Sequence, residues 1–148
     1  MILRHLDILL ADDDIDDCLF FKEALGEILL STHFTAVHDG EQLMQLLKDD
    51  TIELPHILFL DINMPRKNGF ECLAEIKQNT RLKELPVVIF STSFEQEVVN
   101  SLYLSGAHYF IRKPSAFLQF KNIIQHTLTL IMQENVLQPT KDNFVITV

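Results

Sequence analysis

The chain has 148 residues, 47% hydrophobic and 22% charged, which suits one globular domain with a core of its own and excludes a wholly disordered chain. Its formal net charge of −9 sets up a field that repels phosphate backbones and argues against nucleic acid as a partner. No apolar run approaches the ~18 residues of a membrane span, no signal-like segment opens the chain, and Cys18 and Cys72 lack a CxxC spacing, so the expectation is a cytoplasmic protein with two buried thiols and no membrane contact.

Strand-like and helix-like periods then alternate five times. A first strand covers about 7–11 and ends in Ile8-Leu9-Leu10-Ala11. A helix over about 15–30 follows, with Cys18, Phe21, Leu25 and Ile28 on one face. Asp14 suits its N-cap, Asp17 sits three residues on at a box-like spacing, and Asp16 and Asp17 complement the helix dipole. Phe34 to His38 reads as a second strand, and Asp39-Gly40 turns into a short helix carrying Leu43, Leu46 and Leu47. Pro55 introduces a third strand, and Asn68-Gly69 opens a helix with Phe70, Leu73 and Ile76 at helical spacing. Pro86 starts the fourth strand, ahead of a helix over 95–105 bearing Val98, Val99 and Leu102. Gly106 stops that helix, the fifth strand spans 108–112, and a last helix over about 116–133 carries Phe117, Phe120, Ile124, Leu128 and Ile131.

After about residue 134 the pattern changes, which divides the chain into a domain over 1–133 and a tail over 134–148 too short to be an output domain. Residues 143–148 alternate like a strand, with Phe144, Ile146 and Val148 expected on one side. An apolar strand left in water is an aggregation hazard, so it should add to an edge of its own sheet, lie in a groove or cross to a second subunit, the alternative being a frayed terminus.

Five βα units demand a doubly wound α/β fold, an open parallel sheet with helices on both faces. The strand order 2-1-3-4-5 is taken by analogy with flavodoxin-like (βα)5 sheets, whose ligands bind beyond the strand carboxyl ends. Four of the five strands end on a residue with chemistry to offer: Asp12-Asp13, Asp61, Ser91 and Lys113. Capping does not explain Asp12 and Asp13, which precede the N-cap. Like charges at ~4 Å repel by about 1 kcal/mol in water and about 4 kcal/mol near a protein surface. A hard divalent cation turns that repulsion into coordination, so Asp12, Asp13 and Asp61 are expected to hold Mg²⁺. Asp61 is then placed as a carboxylate nucleophile for an activated phosphoryl group, with Lys113 and Ser91 to meet its oxygens.

The stretches Ile8 to Asp14, Leu60-Asp61-Ile62-Asn63-Met64-Pro65 with Asn68-Gly69-Phe70, Val87 to Thr92, and Gly106-Ala107 through Lys113-Pro114 together resemble a response-regulator receiver domain over roughly residues 5–133. The resemblance implies that Asp61 is the phosphoacceptor, that Asp13 ligates magnesium directly, Asp12 chiefly through water and Asn63 through its backbone carbonyl. It also implies that Ser91 is the switch hydroxyl, Lys113 its cationic partner and Phe110 the switch aromatic, and that the Lys113–Pro114 bond is cis. Phe110 lacks the hydroxyl of the tyrosine often found there, and Asn63, Thr92 and Ser93 are small or polar where some receivers carry larger groups. The phrases Ala11 to Asp17 and Ala74 to Asn79 resemble single-domain receivers paired with bacterial phytochrome-type kinases. The implied partners are a sensor histidine kinase or phosphotransfer protein upstream, and a downstream protein or a second copy bound through the 94–133 face. The implied activity is limited to the protein's own phosphorylation and dephosphorylation.

Three other readings compete. A haloacid-dehalogenase-type phosphatase would want an aspartate where Asn63 stands. A receiver-like interaction module that is never phosphorylated would not need the whole acidic pocket. A flavin-binding flavodoxin-like protein would want a Ser/Thr/Gly-rich turn where this chain has aspartates.

Overall fold

The computed structural model describes residues 5–28, 31–133 and 138–147. β1 (Leu6–Ala11), β2 (Thr32–Val37), β3 (Ile57–Leu60), β4 (Val87–Ser91) and β5 (Tyr109–Arg112) alternate with α1 (Ile15–Gly26), α2 (Gly40–Lys48), α3 (Gly69–Gln78), α4 (Gln96–Leu104) and α5 (Phe117–Gln133). A 3₁₀ turn over Lys141–Asn143 leads into β6 (Val145–Ile146). The sheet runs β2-β1-β3-β4-β5-β6 with every pairing parallel, so the expected order is present with one strand more.

Strand alternation divides the core between the two faces of the sheet. Leu9, Ala11, Leu58, Leu60, Val87, Ile89 and Phe110 pack under α2, α3 and α4. Their neighbours Ile8, Leu10, Ile57, Phe59, Val88, Phe90 and Ile111 pack under α1 and α5. Because both faces are covered, β3 and β4 are buried at every position, which is why they read as unbroken apolar runs. Phe21 of α1 anchors the second face, edge-on to Phe59 at 4.8 Å and to Phe90 at 5.7 Å. Phe90 meets Phe120 of α5 at 5.3 Å. Edge-to-face contacts of this kind add about 0.5–1.5 kcal/mol each to burial.

Several expectations are corrected. The first helix ends at Gly26, earlier than expected, where Glu27 and Ile28 turn to i→i−3 hydrogen bonds on Ala24 and Leu25; its remaining expected residues Leu29 and Leu30 lie outside the described residues. Phe70 is 36% exposed, because the buried stripe of α3 is Gly69, Cys72, Leu73 and Ile76. No cis peptide bond occurs among the described residues, so Lys113–Pro114 is trans. Trans is the intrinsically favoured isomer by about 0.5–1 kcal/mol, and from it Lys113 already reaches the acidic residues.

The tail adds to its own sheet, with Val145 opposite Phe110 and Ile146 opposite Ile111. Phe144 and Ile146 do not share a side, however: Phe144 packs with the Leu9 face and Ile146 with the Ile8 face. Phe144 has helical backbone angles (φ −68°, ψ −46°), which break the two-residue alternation before the strand begins. Val148 lies outside the described residues.

Candidate functional site

Ladder hydrogen bonds continue past the strand ends and fix the backbone of the site. Asp12 N–H donates to Val37 O (3.0 Å), Asp61 N–H to Ala11 O (2.9 Å) and Lys113 N–H to Ser91 O (2.9 Å). Asp14 caps α1 as expected, its Oδ1 accepting from the N–H groups of Asp16 (2.9 Å) and Asp17 (3.2 Å). The loop after Asp61 is drawn tight by Gly69, whose N–H donates to Ile62 O at 2.8 Å. Arg66 in that loop has φ 68° and places Nη1 3.1 Å from Asp39 Oδ2.

The carboxylates of Asp12, Asp13 and Asp61 each present an oxygen within 4.8 Å of the other two. Asp12 and Asp61 are buried and Asp13 is exposed, so the cluster is floored by two desolvated groups and opens to solvent through the third. Burial pushes the Asp12 carboxyl up to about 7, against the adjacent Lys113 ammonium and a hydrogen bond from the Asp14 backbone, with Asp61 adding repulsion. Burial likewise raises Asp61, against the Lys113 charge. Asp12 Oδ2 is buried without a hydrogen bond; its 2.8 Å approach to Lys113 Nζ is an ion pair whose angles are not those of a hydrogen bond. Three carboxylates whose oxygens approach within 4.8 Å of one another, two of them buried, make a set of hard oxygen donors that a divalent cation would fit.

Lys113 is the counter-charge, its side chain only 6% exposed. Nζ lies 2.8 Å from Asp12 Oδ2, 2.8 Å from Asp17 Oδ2 and 3.5 Å from Asp61 Oδ2. Burial alone would lower its pKa, but the pairs with Asp12 and Asp17 outweigh it and hold the ammonium above its ordinary value. Sequence reasoning missed this use of Asp17. Its spacing suggested a reciprocal capping box, but that arrangement forms in α3, between Asn68 and Glu71, whereas the Asp17 carboxylate turns to Lys113.

Ser91 is fully buried and its Oγ accepts from Ser93 N–H at 3.2 Å. Phe110 is fully buried between the rings of Phe94 (5.9 Å) and Phe144 (6.4 Å), facing the interior. Asn63 is exposed two residues beyond Asp61, and its backbone N–H helps oppose the rise in the Asp61 pKa. Asp12, Asp13, Asp61 and Lys113 thus converge, with Ser91 on the neighbouring strand end. The arrangement offers three hard oxygen donors and one fixed ammonium at the same rim.

Residues 8–125 match the model of the response regulator receiver domain. The chain belongs to this family. It is 35% identical over 100 residues to response regulator Rcp1 of Synechocystis, covering 65% of this chain and 68% of that protein. Two-component response regulator ORR5 of rice is 34% identical over 104 residues, covering 68% and 75%. Among solved structures, the phosphorylated cyanobacterial phytochrome response regulator RcpA superposes with a TM-score of 0.80 at 30% identity, over 86% of this chain and 94% of that one. The Mn²⁺-bound form of Rcp1 superposes at 0.79 with 29% identity, over 91% and 99%. The chain is therefore a receiver, the signal-accepting module of two-component regulators, rather than a member of an ordinary enzyme family. No helix among the described residues is long and apolar enough to cross a membrane.

Proposed function

We propose that this receiver takes a phosphoryl group on Asp61, with Mg²⁺ held by Asp12, Asp13, Asp61 and the backbone carbonyl of Asn63. The convergence of the three carboxylates within 4.8 Å beside Lys113 carries the reading. An Asp61 carboxylate oxygen attacks the phosphorus; the new O–P bond forms as the P–N bond to a donor histidine breaks, and the imidazole leaves with its electron pair. Bound Mg²⁺ supplies positive charge for the equatorial oxygens. Lys113 meets one of those oxygens as a point charge, and Ser91 donates a hydrogen bond to another.

The donor is a sensor histidine kinase or a phosphotransfer protein in the cytoplasm, and the likeness to the cyanobacterial phytochrome response regulator RcpA favours a phytochrome-type kinase. Output runs through the loops that follow Ser91 and Lys113, which lead into α4 and α5. The 94–133 face, with Phe110 beneath it, then binds a downstream protein or a second copy of the chain, and 134–148 serves as a tail to the 1–133 receiver.

Incubation with radiolabelled acetyl phosphate and Mg²⁺ tests the assignment. Hydroxylamine-sensitive label should approach one per chain, vanish in Asp61→Asn and vanish with EDTA. Full label on Asp61→Asn would place the acceptor elsewhere, and label that survives EDTA would remove the metal.

A further inference from the structure

The cap of α1 is complete without the Asp17 side chain, because Asp14 Oδ1 already receives the N–H groups of Asp16 and Asp17. The helix dipole does not need it either, since Asp16 occupies the same first turn. Yet Asp17 Oδ2 lies 2.8 Å from Lys113 Nζ, closer than the 3.5 Å to Asp61 Oδ2. An ammonium has three donors, and two of its partners here are carboxylates other than the proposed acceptor. Phosphoryl oxygens on Asp61 would bring new negative charge to the outer side of that carboxylate. Asp12 stays within the metal cluster on the proposed reading, so the contact Lys113 can give up is Asp17.

We infer that Asp17 is a positioning residue: it holds Lys113 in its resting place, and Lys113 leaves it for the phosphoryl oxygens when Asp61 is modified. The inference rests on the phosphoacceptor role proposed above for Asp61. Asp17 spans from the first turn of α1 to the residue after β5, so the exchange would tie the state of Asp61 to the contact between those two segments. Breaking the resting pair removes a competitor and favours the occupied state.

Titration of the full chain with beryllofluoride in Mg²⁺, followed by NMR, tests this. Asp17→Asn should bind the phosphoryl analogue about threefold to fivefold more tightly, the scale of a partly screened ion pair, with Mg²⁺ affinity within about twofold of wild type. Asp16→Asn removes the same charge from the same turn and should change neither, which separates the specific pair from a general field. Asp17→Glu should return the affinity toward wild type, and in a Lys113→Met background Asp17→Asn should have no effect. Equal or weaker beryllofluoride binding by folded Asp17→Asn, or the same gain in Asp16→Asn or without Lys113, overturns the inference alone. Failure of the wild type to bind beryllofluoride overturns the phosphoacceptor reading of Asp61 and this inference with it.

Discussion

A Cβ added at Gly69 would sit 2.5 Å from Asp61 O and 2.7 Å from Ile62 Cα. Both obstacles are backbone, so Gly69→Ala must push the loop that carries Asp61. Overpacking of this kind costs about 1–3 kcal/mol, visible as a lower urea midpoint with an unchanged slope, and Mg²⁺ binding should weaken with it; a wild-type midpoint would show that the loop yields freely. His108 is a second residue with a definite signature. Its Nδ1 accepts from Val87 N–H at 3.1 Å inside the core, and burial, aided by the Lys77 charge, pulls its pKa down to about 4 from an ordinary 6.5. The folded state therefore resists a proton that the unfolded state takes. The His108 contribution is complete above pH 6.5 and is lost as pH falls from 6.5 to about 4, by about 3 kcal/mol in all. His108→Asn, which can still accept a hydrogen bond, should flatten the stability–pH curve in that window, measured as the difference from wild type. An unchanged slope would show that His108 titrates normally. The residues at the strand ends were legible in the chain because each lies within two residues of the end of an apolar run. Asp17 was not, because its partner lies 96 positions away on another unit and local spacing offered a sufficient explanation of its own.

At the scale of elements, the five βα units follow from periodicity, since strands buried on both faces and helices with one apolar stripe leave different patterns. Ends were harder. The α1 stop at Gly26 depends on a weak helix former inside a still-apolar run, and the exposure of Phe70 depends on where the α3 stripe is centred. The tail shows the same limit. Alternation identified a strand that had to be covered, but one helical residue at Phe144 moved its two apolar anchors to opposite faces of the sheet. Phe144 is 1% exposed, with its ring 5.2 Å from Tyr103 and 6.4 Å from Phe110. Its carbonyl also accepts from Phe110 N–H at 2.9 Å, so β6 closes the edge that β5 would otherwise present. Phe144→Ala should cost about 3–5 kcal/mol, as deletion of a buried ring does, and removal of 134–148 should cost at least as much. A truncated chain that melts with the full one would mean that β6 contributes nothing to the fold.

On the scale of the whole molecule, a parallel sheet sends all its carboxyl ends to one rim, and that geometry gathers residues 12, 13, 61, 91 and 113 from across the chain. The order of the strands had to be taken by analogy, because apolar runs carry no label saying which neighbour they join. The same geometry separates the site from the opposite rim, where Asp7, His33, Leu54 and Pro55 line a cavity between β1, β2 and the approach to β3. Phosphorylation can move a two-state equilibrium only through contacts that differ between the states. On the proposed mechanism those contacts are made by Ser91 and Lys113, at the entrances to α4 and α5. Phe110 sits directly between the α4 entrance and the tail, touching Phe94 on one side and Phe144 on the other. Any shift of Phe110 must therefore be felt by β6 as well as by α4. Beryllofluoride with Mg²⁺ should produce backbone chemical-shift changes over 94–133 that extend to Phe144 and Val145, while Asp7, Thr35 and Pro55 stay near their resting positions. Changes confined to the Asp7 rim would place the output face on the wrong side of the molecule. Changes that reach α4 but stop short of Phe144 would show that Phe110 holds still, leaving Ser91 and Lys113 to act without it.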